Sequence, residues 1–188
     1  AFLRNRKQRV HINGFYSEWK DVLSGILQGS ILGPLLFIIY INDLPREVDI
    51  FADISLYADD AKLYKHIKDT DDVKELQLAL DQLTSWCERW HLSLNAKKCK
   101  ILTVSRRTIL DSSYGIKKGN NLEYLEKVDK IKDIGVLMDS KLNFTDHIAE
   151  TTNKAYSMIG IIKRNFRYLD RDAFVMLYKS MVRSHLEY

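Results

Sequence analysis

Ile54-Ser55-Leu56-Tyr57-Ala58-Asp59-Asp60-Ala61-Lys62-Leu63-Tyr64 is the stretch on which the reading of the fold turns. Its apolar residues alternate on either side of an acidic pair, and that spacing predicts two short strands meeting at Asp59-Asp60. Successive strand side chains point to opposite faces, so adjacent carboxylates in mid-strand would diverge, whereas at a bend both can approach one side. Grouped hard oxygen ligands suit a pair of Mg²⁺ ions about 4 Å apart, one activating an attacking oxygen and the other stabilising the leaving one. Read alone, however, Tyr57-Ala58-Asp59-Asp60 fits a solvated acidic turn better than a metal site.

Upstream lies Gln28-Gly29-Ser30-Ile31-Leu32-Gly33-Pro34. Glycines ahead of a helix let a backbone approach a ligand, and a helix N-terminus favours phosphate; a plain loop-to-helix entry is the competing reading. The helix is expected from about Gly33-Pro34 to Asp43, with proline in its first turn and Pro45 as its stop. Leu35, Leu36, Phe37, Ile38, Ile39 and Ile41 make it apolar nearly all round, which predicts a buried helix lying against a sheet. Residues 8–23 alternate as short strands around Asn13-Gly14, a hairpin dipeptide.

Downstream, apolar residues at 73, 76, 80, 83, 87 and 90 predict an amphipathic helix over 70–90, with Trp86 and Trp90 in the core. Residues 92–94 and 100–104 read as strands, and 111–121 as a polar loop. Residues 122–138 read as short strands interrupted near 130–133. Two helices follow, over about 145–165 and from Asp170 onward, with Asp170 as N-cap and the helical register still running at Tyr188. The fold class is therefore α+β, dividing near residue 144 into a sheet-bearing part (1–144) and a helical part (145–188).

At 188 residues, the chain can bury one sizeable core. Its 46% hydrophobic content and two prolines exclude a disordered or low-complexity protein. The apolar run from Ile31 to Ile41, broken by Gly33 and Pro34, is too short to cross a bilayer, so no membrane partner is expected. Cys87 and Cys99 match no zinc spacing or disulfide framework, and His66, His91 and His147 show no ligand or triad spacing. The net charge of +4 is unevenly placed: basic residues gather at both ends and acidic ones in the middle, from Asp43 to Asp81. Basic ends around an acidic centre suit a phosphate-gripping protein with a metal site between, though solvated helix faces account for the charge equally well.

The motifs taken in order are more specific than any one alone. Gln28-Gly-Ser-x-Leu-Gly-Pro-Leu-Leu-Phe, then Tyr40-Ile-Asn-Asp-Leu-Pro, then Tyr57-Ala-Asp-Asp, resemble reverse transcriptases of non-LTR retrotransposons, the jockey-like group especially. The resemblance continues through Trp86, Trp90, Leu92-Ser-Leu-Asn95-x-x-Lys98-Cys99, Lys132-Asp-Ile-Gly135-Val and Leu142-Asn-Phe-x-x-His147-Ile. It ends at Leu177-Tyr-Lys-x-Met-Val-Arg-Ser-His-Leu-Glu-Tyr188 and so covers essentially the whole chain.

The resemblance implies a partial fingers and palm over 1–144, an antiparallel sheet packed on helices, and the start of a helical thumb over 145–188. Asp59 and Asp60 would be catalytic and would bind Mg²⁺, with Mn²⁺ as a substitute. Gln28, Gly29, Ser30 and Tyr57 would lie against nucleotide and template. Lys98 would stand near the triphosphate and offset charge on departing pyrophosphate, a solvated lysine being the alternative. Gly135 would belong to the hairpin supporting the primer terminus. Lys154, Lys163, Arg164 and Arg167 would grip nucleic-acid phosphates without reading sequence. The implied partners are an RNA template, a DNA primer and dNTPs, and the implied setting is intracellular, in cytoplasm and nucleus.

Two departures stand out. Leu27 replaces the proline usual before the glutamine, and no residue in 1–188 matches the family's first catalytic aspartate, which lies on a strand upstream of Arg4-Asn-Arg-Lys-Gln. The 188 residues therefore read as a fragment without polymerase activity of its own. A catalytically dead retroelement remnant that binds nucleic acid or acts as a scaffold is the alternative function.

Overall fold

The computed structural model describes residues 4–23, 25, 29–105, 112–119 and 121–187. Its contacts divide the chain into two compact units, 1–93 and 94–188. The expected α+β class holds, since helices and small sheets mix in both units. Gln28 lies outside the described residues.

The first unit opens with a hairpin arm. β1 (Lys7–Gln8) pairs with β4 (Lys20–Asp21), and β2 (His11–Ile12) with β3 (Phe15–Tyr16). Asn13 and Gly14 take positive φ values of 51° and 85° at the tip, the geometry for which the dipeptide was read as a turn. Helix α1 (Leu32–Ile41) carries Pro34 in its first turn, and the Ser30 hydroxyl accepts the Gly33 N–H at 3.1 Å. Pro45 opens a second short helix, α2 (Leu44–Val48), rather than merely ending the first.

Hairpin β5 (Asp53–Tyr57) and β6 (Asp60–Tyr64) then leads to α3 (Thr70–Arg89). A reciprocal cap starts α3: Asp69 accepts the N–H groups of Asp71 and Asp72, while Asp72 accepts those of Lys68 and Asp69. The predicted apolar stripe of α3 is buried at Leu80, Leu83 and Cys87, as is Trp86, and α2 with its buried Leu44 and Val48 lies against the helix. The helix therefore buries the expected face, with α2 and β6 beside it and β5 against α2.

Two expectations for this unit fail. Trp90 ends α3 at 39% exposure rather than in the core, in edge contact with Tyr40, whose hydroxyl donates to the Trp90 carbonyl. Helix α1 is not buried: Leu35, Ile38 and Ile39 are 53–64% exposed, and Gly33 is its buried residue. A helix apolar all round needs cover on several sides. Here Tyr40 ties it to α3 by one flank, and among the described residues strands pair only in twos and supply no larger sheet to cover it.

In the second unit, β7 (Lys100–Leu102) pairs in parallel with β10 (Glu126–Val128), whereas β8 (Gly115–Lys118) with β9 (Asn121–Tyr124), and β11 (Lys130–Asp133) with β12 (Val136–Asp139), are antiparallel. The segment read as a polar loop at 111–121 thus holds a strand, with Tyr114 and Ile116 buried. Residues 130–133 form a strand instead of an interruption. In both places glycine, lysine and aspartate masked the alternation of the apolar residues. Residues 92–94, read as a strand, take up no pairing.

Helix α4 (Thr145–Asn165) has the predicted bounds. After Asp170, whose carboxylate caps Ala173 N–H at 2.7 Å, α5 (Arg171–Leu177) passes into a π-helical segment, Tyr178–Arg183, and then α6 (Ser184–Leu186). Ala155, Ile162 and Val182 form the core between them, with Met158, Leu169, Leu177 and Tyr178 packed around it. No helix among the described residues is long and apolar enough to cross a membrane.

Candidate active site

The β5–β6 register closes at Tyr57 opposite Asp60, leaving Ala58 and Asp59 as the two-residue turn. Ala58 takes φ of 51°, a left-handed conformation that costs a residue with a Cβ about 1 kcal/mol. Such strain at a turn marks a position whose geometry is held by its surroundings. Asp59 stands in the turn and Asp60 begins the returning strand, so the acidic pair lies at the bend of the hairpin. Both are exposed, and neither carboxylate has a hydrogen-bond or ion-pair partner among the described residues.

Two exposed carboxylates with free oxygens fit a hard divalent cation, which seeks oxygen donors and retains waters. They are not a complete cage, since no group of three or more His, Cys, Asp or Glu able to hold a metal occurs among the described residues. Cys87 and Cys99 add nothing to such a site: burial pushes both thiols up and keeps them protonated.

The remaining residues singled out in the sequence are distributed over both units. In the first, Gly29 has φ of 79° and open space where a Cβ would stand, and Ser30 caps the start of α1. Tyr57 is 61% exposed at the end of β5. In the second, Lys98 is exposed on a turn held by its own N–H to the Asn95 carbonyl at 2.9 Å, and its ammonium has no carboxylate partner among the described residues. Its neighbour Lys100 is ion-paired to Glu126.

Gly135 forms the β11–β12 turn with Ile134, both at positive φ, 86° and 42°. A β-branched side chain in that conformation is strained, and a sequence search for turn residues passes over Ile134. The hairpin is fastened to α4 by Lys132–Glu150 at 3.4 Å, by Lys130–Asp146, and by the Leu137 N–H donating to His147 Nδ1 at 3.3 Å. His147 is thus a structural latch.

The loop before α4 is shaped by Asp139, whose carboxylate accepts the N–H groups of Lys141, Asn143 and Phe144. Partial burial pushes its carboxyl up, but the donors from Phe144, Asn143 and Lys141 outweigh that and hold it below the usual range. Of the four basic residues assigned to phosphates, Lys154 is paired to Glu150 at 2.6 Å. Lys163, Arg164 and Arg167 are exposed near the C-terminal end of α4, without carboxylate partners among the described residues.

Residues 2–169 match the family described as Reverse transcriptase (RNA-dependent DNA polymerase). The chain is 33% identical, over 79% of its length, to the RNA-directed DNA polymerase from mobile element jockey of Drosophila melanogaster, covering 16% of that protein. It is 32% identical to the polymerase of the same name from Drosophila funebris over its full length, covering 21% of that protein. With the probable RNA-directed DNA polymerase from transposon BS of Drosophila melanogaster the identity is 30% over 83% of the chain and 18% of that protein. The chain therefore spans about a fifth or less of the curated relatives it matches. No solved structure matches it. By the extent of the family match and the order of its motifs, the chain belongs to the reverse transcriptase family and is similar within it to the polymerases of jockey-like elements.

Proposed function

We propose that the chain is the portion of an RNA-directed DNA polymerase that carries two of its metal-binding carboxylates, Asp59 and Asp60. The observation that supports this most is the strained turn at Ala58, which sets Asp59 and Asp60 at one bend, both exposed and neither with a hydrogen-bond or ion-pair partner among the described residues. When bound there, Mg²⁺ would supply Lewis-acid activation of a primer hydroxyl and charge neutralisation at the phosphoryl group. The chain's own contribution is to hold two oxygen donors at a rigid bend. Lys98 would offset negative charge on leaving pyrophosphate, and its unpaired ammonium suits that role.

In this reading, residues 1–144 are the later fingers and palm and 145–188 the beginning of the thumb. Gln28, Gly29, Ser30 and Tyr57 face template and nucleotide, Gly135 supports the primer, and Lys163, Arg164 and Arg167 hold phosphates. Lys154, neutralised by Glu150, contributes less. Template RNA, primer DNA and dNTPs are the partners, and the activity belongs to cytoplasm and nucleus. The 188 residues alone are inactive, because two carboxylates do not furnish the negative ligation that two Mg²⁺ ions and a triphosphate require.

A primer-extension assay with Mg²⁺ tests both halves of the proposal. The 188-residue chain should incorporate no more nucleotide than its Asp59→Ala variant. A longer protein that includes the upstream aspartate motif should be active, and Asp59→Ala in it should lower the rate by about a thousandfold or more. Activity in the shorter chain would sink the inactivity claim, and an unaffected Asp59→Ala in the longer one would sink the metal assignment.

A further inference from the structure

The amino-terminal arm carries a stack of planar groups that the polymerase reading does not use. The His11 and Tyr16 rings are stacked with centroids 4.2 Å apart and planes 13° from parallel. The Arg9 guanidinium lies 3.8 Å from the Tyr16 centroid and 4.6 Å from that of Trp19. The order is therefore Trp19, Arg9, Tyr16, His11, and all four residues are exposed, Tyr16 at 56% and Trp19 at 57%.

Strand geometry by itself would not assemble this stack. Arg9 and His11 are two apart and share a face, and Tyr16 joins them because it pairs directly across from His11. Trp19 is three residues beyond Tyr16 and in a regular strand would point the other way. Between the two paired segments, however, the returning strand holds Ser17, Glu18 and Trp19 opposite only Arg9 and Val10. This one-residue bulge is fixed by the Ser17 N–H to the Val10 carbonyl and by the Ser17 hydroxyl accepting the Val10 N–H, both at 2.9 Å. A bulge re-aims the side chains that follow it, and here it brings Trp19 onto the face of the other three.

The charge around the stack is mainly positive, with Arg4, Arg6, Lys7, Arg9 and Lys20 against Glu18 and Asp21. Arg4, Arg9 and Lys20 have no carboxylate partner among the described residues, and Lys7 meets Asp21 only at 3.9 Å with both side chains largely exposed. Exposed rings beside unpaired cations are the combination that binds single strands, in which bases stack on rings and cations track phosphates. In a duplex the base faces are already occupied.

We propose that the arm is a binding site for single-stranded nucleic acid, in which an unpaired base extends the stack at Trp19 while Arg4 and Lys20 contact the flanking phosphates. The choice of nucleic acid as the anionic partner rests on the function proposed above; the site itself needs no metal and no polymerisation. Stacking and phosphate contacts are indifferent to the sugar, so RNA and DNA strands should bind alike.

The test is fluorescence anisotropy of the 188-residue chain with a labelled twelve-nucleotide oligouridylate, the matching DNA strand and a duplex of equal length. It is run in EDTA, so that failure of the metal site cannot imitate failure of the arm. Both single strands should bind and quench tryptophan emission, whereas duplex, held by the α4 cations, should leave the emission unchanged. Trp19→Ala should weaken single-strand binding about tenfold. Trp19→Phe should retain most of the affinity but lose the quenching, and Arg9→Lys should fall between. Circular dichroism confirms that each variant is folded, and Trp19→Phe keeps the test decisive if Trp19→Ala is not. The proposal is overturned if folded Trp19→Ala binds single strand like wild type, if Trp19→Phe keeps the quenching, or if Trp19→Ala weakens duplex binding as much as single-strand binding. It is likewise overturned if sedimentation shows the arm buried between two copies of the chain and RNA leaves the emission unchanged.

Discussion

Single residues in left-handed conformations mark the places where this chain departs from its easiest local structure. Ala58 and Ile134 both occupy the first position of a two-residue hairpin turn, where glycine or asparagine would sit without strain. Ile134 is the costlier of the two, because branching at Cβ crowds the carbonyl in that region. Replacing it with asparagine should raise the stability of the 188-residue chain by about 1 kcal/mol, measured by urea unfolding. If Ile134→Asn is neutral or destabilising, the side chain is contributing packing that its 48% exposure does not suggest. Asp59 and Asp60 differ from these residues in that neither takes a positive φ, and the role proposed for them depends on the bend at which they stand.

At the scale of elements, the caps and faces of the helices carry the stability. Asp69→Ala removes the acceptor for two N–H groups at the start of α3 and should cost about 1 kcal/mol, read from the same denaturant curve. The Lys68 N–H foremost, then that of Asp69 and the nearby Lys65 and Lys68 charges, hold the Asp72 carboxyl below its ordinary value of 3.8 despite some desolvation. A carboxyl depressed in the folded state stabilises it above the unfolded pKa, and that contribution is lost as pH falls through the folded value. Wild type should therefore lose stability below about pH 4, and Asp72→Asn should flatten that part of the profile; an unchanged acid limb would exclude the cap as its source. The contrast between α1 and α3 is equally testable. Leu83→Ala, buried on α3, should cost 2–5 kcal/mol by the usual range of about that size, whereas Ile39→Glu on α1 should change stability by no more than about 0.5 kcal/mol. A large loss for Ile39→Glu would mean that α1 is covered.

For the molecule as a whole, the proposed grip on nucleic acid rests on charge placement. Lys163, Arg164 and Arg167 are exposed at one end of α4. Each that contacts a phosphate releases a counterion, so the logarithm of affinity for duplex should fall with the logarithm of salt by about 0.9 per contact. Replacing Lys163 and Arg167 by alanine should lower the slope by nearly two, without altering preference among duplex sequences. Lys154→Ala should leave it nearly unchanged, since Glu150 already neutralises that ammonium. A slope indifferent to Lys163 and Arg167 would remove α4 from the nucleic-acid interface.

The β5–β6 hairpin, the extent of α3 and α4, and the Asp170 cap were legible in the sequence because each is specified by neighbours within a few turns of chain: alternation, a three-four apolar stripe, a capping side chain. The family, too, could be read from motifs in their order. Other features depend on groups distant along the chain. The burial of α1 could not be read from its composition, because an apolar surface is covered only if other elements arrive to cover it. The strand at 115–118 is stabilised by its partner at 121–124 and by burial, which outweigh its glycine and lysines. The alignment of Trp19 with Arg9, Tyr16 and His11 hangs on one extra residue opposite Arg9 and Val10, a mismatch that exists only once two strands are paired. Sequence alone thus determined the β5–β6 hairpin, the two long helices and the family, since these are written in local spacing. Only the tertiary structure decided which surfaces are buried, which cations are already neutralised and which rings share a face, since burial, ion pairing and register are properties of two segments together.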